Sequence, residues 1–87
     1  MADDPRKTVL ITGCAPGGIG HAMAMDFHKA GLRVFATARD KSVLEDLAEL
    51  GMETLSFDVT DEGDRVRMRE VIERDAGGRL DVLVNNA

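Results

Sequence analysis

The chain has 87 residues, with 11 Lys and Arg against 16 Asp and Glu, a formal charge of −5, and 44% hydrophobic content. That length holds at most one small domain. An acidic surface with no Lys/Arg run among aromatics speaks against nucleic acid, and the apolar runs are far too short to span a membrane. The opening Met1-Ala2-Asp3-Asp4-Pro5 is acidic and has no apolar stretch behind it, unlike a signal peptide. Residues 1–6 are expected to be a disordered, solvated tail. A single cysteine, Cys14, permits no internal disulfide and suits a reducing, cytoplasmic compartment.

From Lys7 onward two textures alternate. Thr8 to Thr12 is a β-branched, apolar run ended by Gly13, as expected of a strand covered on both faces. Ile19, Met23, Phe27 and Ala30 recur at three- and four-residue steps, an apolar helical stripe closed by Gly31. Leu32 to Ala36 reads as a second strand. Ser42-Val43-Leu44-Glu45 fits a capping box for a helix with Val43, Leu44, Leu47 and Leu50 on one face and Gly51 as its stop. Glu53 to Phe57 is a third strand. Thr60 or Asp61 can cap a charged helix whose apolar side is Met68, Val71, Ile72 and Ala76, ended by Gly77-Gly78. Leu80 to Asn85 is a fourth strand. Strict β-α-β-α-β-α-β alternation with short connections predicts parallel pairing through right-handed crossovers, an α/β sheet with helices on both faces.

Between the first strand and first helix lies Thr12-Gly13-Cys14-Ala15-Pro16-Gly17-Gly18-Ile19-Gly20. Glycines allow a sharp turn and close approach of the backbone, and a helix N-terminus offers N–H groups and positive potential, which together suit a dinucleotide pyrophosphate. The plainer reading is a glycine-rich turn without a ligand. Four glycines within eight positions, confined to a strand-turn-helix junction, speak against it. At the end of the second strand, where an NAD-preferring unit carries an acid for the ribose diol, the chain has Thr37-Ala38-Arg39-Asp40. A guanidinium there clamps a 2′-phosphate that a carboxylate would repel, so Arg39 points to NADP(H). The alternative is a solvated arginine paired with Asp40 or Glu45.

The glycine loop resembles the Thr-Gly-x-x-x-Gly-x-Gly loop of the short-chain dehydrogenase/reductase family. It departs in having four residues between Gly13 and Gly18-Ile19-Gly20 where the family has three, so either Gly17 or Gly18 takes the middle role and one residue must bulge. The longer form is similar to a fungal-type, NADPH-using branch related to acyl-dihydroxyacetone-phosphate reductases. The resemblance covers residues 7–87. It implies a Rossmann-type doubly wound parallel sheet, here partial, with strand order 3-2-1-4. It further implies cofactor contacts from Gly13, Gly17, Gly18, Ile19, Gly20 and Arg39. Asp58 would receive the adenine amino group, Val59 would line the adenine pocket, and Asn86, within Asn85-Asn86-Ala87, would lie beside the cofactor ribose. Asp58 as a plain helix cap is the competing reading.

The family's chemistry uses a Ser and a Tyr-x-x-x-Lys pair, and this chain contains no Tyr. Residues 7–87 are therefore expected to be a dinucleotide-binding half that stops before the catalytic half, with no catalytic residue of its own. The parent is expected to be a homo-oligomer acting on a small-molecule carbonyl or alcohol. A non-catalytic dinucleotide-binding module is the runner-up, and a flavodoxin-like or receiver-type protein a third reading. His21 and His28 share a helical face without a credible set of further ligands, so no metal site is expected. Cys14 sits where a helix dipole could lower its pKa, although loop packing is the simpler role.

Overall fold

β1 (Thr8–Ile11) and β2 (Arg33–Ala38) are buried at every position. Nearly continuous apolar and β-branched runs, broken in β2 only by Arg33, specify this burial when a strand has neighbours on both sides and helices on both faces. The computed structural model describes residues 5–86, so most of the expected tail and Ala87 lie outside the described residues. β1 and β2 form the centre of a four-stranded parallel sheet, with β3 (Glu53–Ser56) and β4 (Val82–Val84) as its edges in the order β3-β2-β1-β4. Ile11 pairs with Ala36 and Val84, and Ala38 with Ser56. This register brings the C-terminal ends of the strands to one rim.

Alternation along the central strands divides the core. Val9, Ile11, Val34, Ala36 and Ala38 face one side with Ala24 of α1 (Ile19–Lys29) and Leu47 of α2 (Glu45–Glu49). Leu10 and Phe35 face the other with Met68, Val71, Ile72 and Ala76 of α3 (Glu62–Ala76). Each large side chain so buried stabilises the fold by about 1.5–3 kcal/mol. The doubly wound α/β architecture and the strand order are those expected from the sequence.

The local differences have identifiable causes. Leu32 does not begin β2, because its N–H bonds the Phe27 carbonyl at 3.1 Å and closes α1 around Gly31, whose φ is 89°. The expected helix from Ser42 begins instead as a 3₁₀ turn capped by Asp40, and α2 proper has Leu44 at its N-cap without a side-chain bond. Asp40 Oδ1 accepts from the Ser42 N–H, and Lys41–Leu44 forms a 3₁₀ turn before α2. β4 begins at Val82 rather than Leu80 because the Asp81 carboxylate takes the Thr8 N–H at 2.8 Å, where a strand would offer a carbonyl, and it ends at Val84. Ile19 is 71% exposed rather than part of the core stripe, since Gly20 and Ala24 are the α1 residues buried against the sheet.

Candidate functional site

The rim at the strand ends gathers most of the residues singled out in the sequence. The Gly18 N–H bonds the Ala15 carbonyl at 3.2 Å, closing a β-turn with Pro16 second and Gly17, at φ 83°, third. Proline followed by a positive-φ glycine is the signature of a type II turn. The turn takes up the extra residue of the loop and separates the two middle glycines. Gly17 supplies the left-handed conformation, and a Cβ on it would meet nothing within 4 Å. Gly18 is extended (φ −96°, ψ 170°) and occupies the N-cap of α1 without a side-chain cap bond. No acid sits in the first turn of α1. Its opening N–H groups thus lack the usual side-chain acceptor, beside a backbone that no side chain screens.

Gly20 is where backbone meets backbone. A Cβ there would lie 2.5 Å from the Gly13 carbonyl oxygen and 2.8 Å from Asn86 Nδ2. Asn86 Nδ2 donates to that same carbonyl at 3.2 Å, and the Asn86 N–H donates to Thr12 Oγ1 at 2.9 Å. Thr12 Oγ1 lies 3.3 Å from Asn85 Oδ1. The two amides therefore tie the end of β4 to the glycine loop, although both side chains are exposed rather than buried.

Arg39 and Asp58 stand side by side at the ends of β2 and β3, with Arg39 Nη2 3.9 Å from Asp58 Oδ1. Arg39 is 77% exposed, and its loose contact is with Asp58, not with the Asp40 or Glu45 of the alternative reading. Asp58 does not cap α3. Asp61 does, accepting from the Asp64 N–H at 3.1 Å. Asp58 Oδ1 instead accepts from Thr60 Oγ1 and N–H at 2.6 and 2.9 Å. The Thr60 hydroxyl, then its amide, and more weakly the Arg39 charge hold Asp58 below the usual carboxylate range. Val59 follows at the same rim, half-buried, its carbonyl accepting from Arg65.

Cys14 takes the simpler of the two roles expected for it, loop packing, and not a lowered pKa. Its Sγ is buried and donates to the Ile11 carbonyl at 3.3 Å, and its N–H is committed to the Thr37 carbonyl. Burial pushes the thiol above its ordinary pKa, outweighing the backbone hydrogen bond that lowers it. His21 reaches Asp46 at 2.7 Å, linking α1 to α2. No cluster of potential metal ligands occurs among the described residues. The sequence reading did not single out Arg33. It is buried, holds both Glu53 oxygens at 2.6 and 2.7 Å, donates to the Asp75 carbonyl and stacks 5.1 Å from the Phe35 ring. A charged residue inside an apolar strand run was its only signal.

A parallel sheet of order 3-2-1-4, wound on both faces and opening on a glycine-rich strand-turn-helix, defines the Rossmann class. The chain belongs to the short-chain dehydrogenase family, which its residues 7–87 match. It is 43% identical over 84 residues to an NADPH-dependent 1-acyldihydroxyacetone phosphate reductase of Schizosaccharomyces pombe, spanning 97% of this chain and 28% of that protein. It is 51% identical over 83 residues to the short-chain dehydrogenase PC-15 of Penicillium crustosum, spanning 94% and 31%. Among solved structures, a short-chain dehydrogenase from Streptomyces avermitilis superposes with a TM-score of 0.82 at 41% identity, over 98% of this chain and 32% of that one. A 3-ketoacyl-(acyl-carrier-protein) reductase from Brucella melitensis, complexed with NADH, gives 0.83 at 36%, over 93% and 34%. The chain thus spans about a third of the length of the proteins it resembles.

Proposed function

We propose that this chain is the NADP(H)-binding portion of an oxidoreductase that moves hydride between that cofactor and a small-molecule carbonyl or alcohol. The observation that carries the reading is Arg39, a largely exposed guanidinium at the end of β2, on the same rim as an uncapped, glycine-lined helix N-terminus. The cradle fits such a group, since the loop presents bare backbone at Gly17, where even a Cβ would meet nothing within 4 Å, and Gly20 lets α1 pack directly on Gly13. Hydride donation and acceptance is the chemistry a nicotinamide dinucleotide supplies when bound. This chain's residues do the holding. The opening N–H groups of α1 and the helix dipole receive the pyrophosphate around Gly17, Gly18, Ile19 and Gly20. Arg39 pairs the 2′-phosphate, Asp58 and Val59 border the adenine, and Asn86 fixes Gly13 beside the ribose. The yeast relative's NADPH dependence supports the phosphate reading. One similar structure holds NADH, so the choice rests on Arg39 itself.

Hydride transfer to a carbonyl also needs a proton donor for the developing alkoxide. The chain has no Tyr, and we propose that it binds without reducing. A charge-assisted contact contributes about 1.5–3 kcal/mol. Arg39→Ala should accordingly weaken NADPH binding roughly tenfold to a hundredfold and NADH binding little, in parallel fluorescence titrations. Equal losses for both nucleotides would overturn the NADP(H) assignment. Carbonyl-dependent oxidation of NADPH by the chain would overturn its catalytic silence.

A further inference from the structure

Two carboxylates flank Arg39, and one device holds both. Asp40 follows Arg39 in the chain, and its Oδ1 accepts from the Ser42 N–H at 2.9 Å and Ser42 Oγ at 2.7 Å. Asp58 stands at the end of the adjacent strand, and its Oδ1 accepts from the Thr60 N–H at 2.9 Å and Thr60 Oγ1 at 2.6 Å. In each pair the hydroxyl residue lies two positions after the acid, and a single oxygen takes both donors. The contact between Arg39 and Asp58 involves that same engaged oxygen, at 3.9 Å. A charge-assisted N–H···O bond is about 2.7–2.9 Å long.

A carboxylate oxygen has two lone-pair directions, and two short donors fill them. A bidentate fork with arginine needs both oxygens of one carboxylate presented together. With Oδ1 occupied, neither acid offers that edge, so the guanidinium stays 77% exposed and is held only loosely, by Asp58 at 3.9 Å. We infer that Ser42 and Thr60 are positioning residues for cofactor specificity, their hydroxyls holding Asp40 and Asp58 off Arg39 and leaving it free for an adenosine 2′-phosphate. The inference rests on the proposed role of Arg39. Neither hydroxyl touches the phosphate in this account. Each acts through the carboxylate it restrains. Without the hydroxyl, that carboxylate turns both oxygens toward Arg39, and a phosphate must first displace an ion pair.

The probes are 2′,5′-ADP and 5′-AMP, titrated into the 87-residue chain and followed by NMR chemical shifts. Both carry the adenine, so the ratio of their dissociation constants isolates the 2′-phosphate. Thr60→Val and Ser42→Ala should each lower the preference for 2′,5′-ADP about two- to fivefold, the range set by an exposed ion pair. Thr60→Ser should keep the preference, and Asp58→Asn added to Thr60→Val should restore it. Asp58→Asn alone should leave the preference at or above that of the unsubstituted chain, which tests the idea even if Thr60→Val fails to fold. An unchanged ratio in Thr60→Val, together with a collapsed ratio in Arg39→Ala, overturns the positioning role while Arg39 keeps its own. No restoration by Asp58→Asn overturns action through the carboxylate. A ratio indifferent to Arg39→Ala, or no binding of either nucleotide, overturns the reading of Arg39 and this inference with it.

Discussion

A Cβ on Gly20, in the first turn of α1, would lie 2.5 Å from the carbonyl oxygen of Gly13, seven residues earlier in the glycine loop. No rotamer relieves such a contact, because both sides are backbone. The loop and the first turn of α1 must move apart, and with them the carbonyl that Asn86 Nδ2 holds at 3.2 Å. Forced overpacking costs about 1–3 kcal/mol and occasionally more. Gly20→Ala should sit at the top of that range in urea unfolding and abolish nucleotide binding. A variant of unaltered stability would show that the close approach is wrong.

The two middle glycines should separate cleanly. Gly17→Ala places a Cβ in open space but at φ 83°, where an L-residue costs about 1–2 kcal/mol. Gly18→Ala keeps an ordinary φ of −96°, and its Cβ meets only the Ala15 oxygen at 3.3 Å. Thermal unfolding should therefore rank Gly18→Ala near the unsubstituted chain and Gly17→Ala clearly below it. The reverse order would contradict the type II turn.

Arg33 and Glu53 join β2 to β3 at the end opposite the glycine loop. The Arg33 side chain is 9% exposed and its fork engages both Glu53 oxygens, whereas Glu53 is partly solvated. Glu53→Gln leaves a buried guanidinium with one carboxylate fewer. Hydrogen bonds to charged groups contribute about 1.5–3 kcal/mol. Solvent screening on the Glu53 side reduces the expected loss to about 1–2 kcal/mol, read as a lower urea midpoint. Arg33→Lys should not be neutral, since an ammonium cannot reproduce the fork or the stacking on Phe35.

The layered sheet was legible because burial and periodicity say the same thing in β1 and β2, where apolar residues occupy both faces. The helix faces carrying Met68, Val71, Ile72, Ala76 and Leu47 were legible for the same reason. What sequence could not resolve were competitions among short polar side chains. Asp40 and Ser42 are both good caps, and only the fold decides that Asp40 receives while Ser42 donates. Thr60, Asp61 and Asp58 were all candidate caps for α3; Asp61 takes the role, and Asp58 engages Thr60 instead. Ile19 fitted the apolar periodicity of α1. The close approach of Gly20 to Gly13 sets the face that α1 turns to the sheet and leaves Ile19 outside.

Acid should weaken the fold through five aspartates. Asp81 lies below the usual carboxylate range chiefly because it accepts the Thr8 N–H, and Asp40, Asp46, Asp58 and Asp75 are lowered by Ser42, His21, Thr60 and Arg74 respectively. A folded-state pKa below the unfolded value of about 3.9 gives stability that is fully present above that value. It is lost as pH falls through the folded value. The carboxylate contribution should thus be level from pH 7 to 5, with the urea midpoint dropping below about pH 4. Asp81→Asn should cost stability at pH 7 and progressively less near pH 3. A constant difference across that range would show that the Asp81 charge is irrelevant to its bond with Thr8.

The outer edge of β4 sets the solution behaviour we expect of the chain. β4 pairs with β1 on one side only, and Leu83, opposite Leu10, is 59% exposed. It borders an apolar groove of about 540 Å³ on the α3 face, lined also by Phe57, Met68, Ile72 and Leu80. An open strand edge beside apolar surface is a template for pairing with an identical strand. Sedimentation should show concentration-dependent association of the chain. Leu83→Lys puts a charge on that face without removing any backbone bond to β1, so it should shift the chain to monomer and leave the urea midpoint nearly unmoved. If the unsubstituted chain stays monomeric at several hundred micromolar, or if Leu83→Lys associates as strongly, β4 is not the contact.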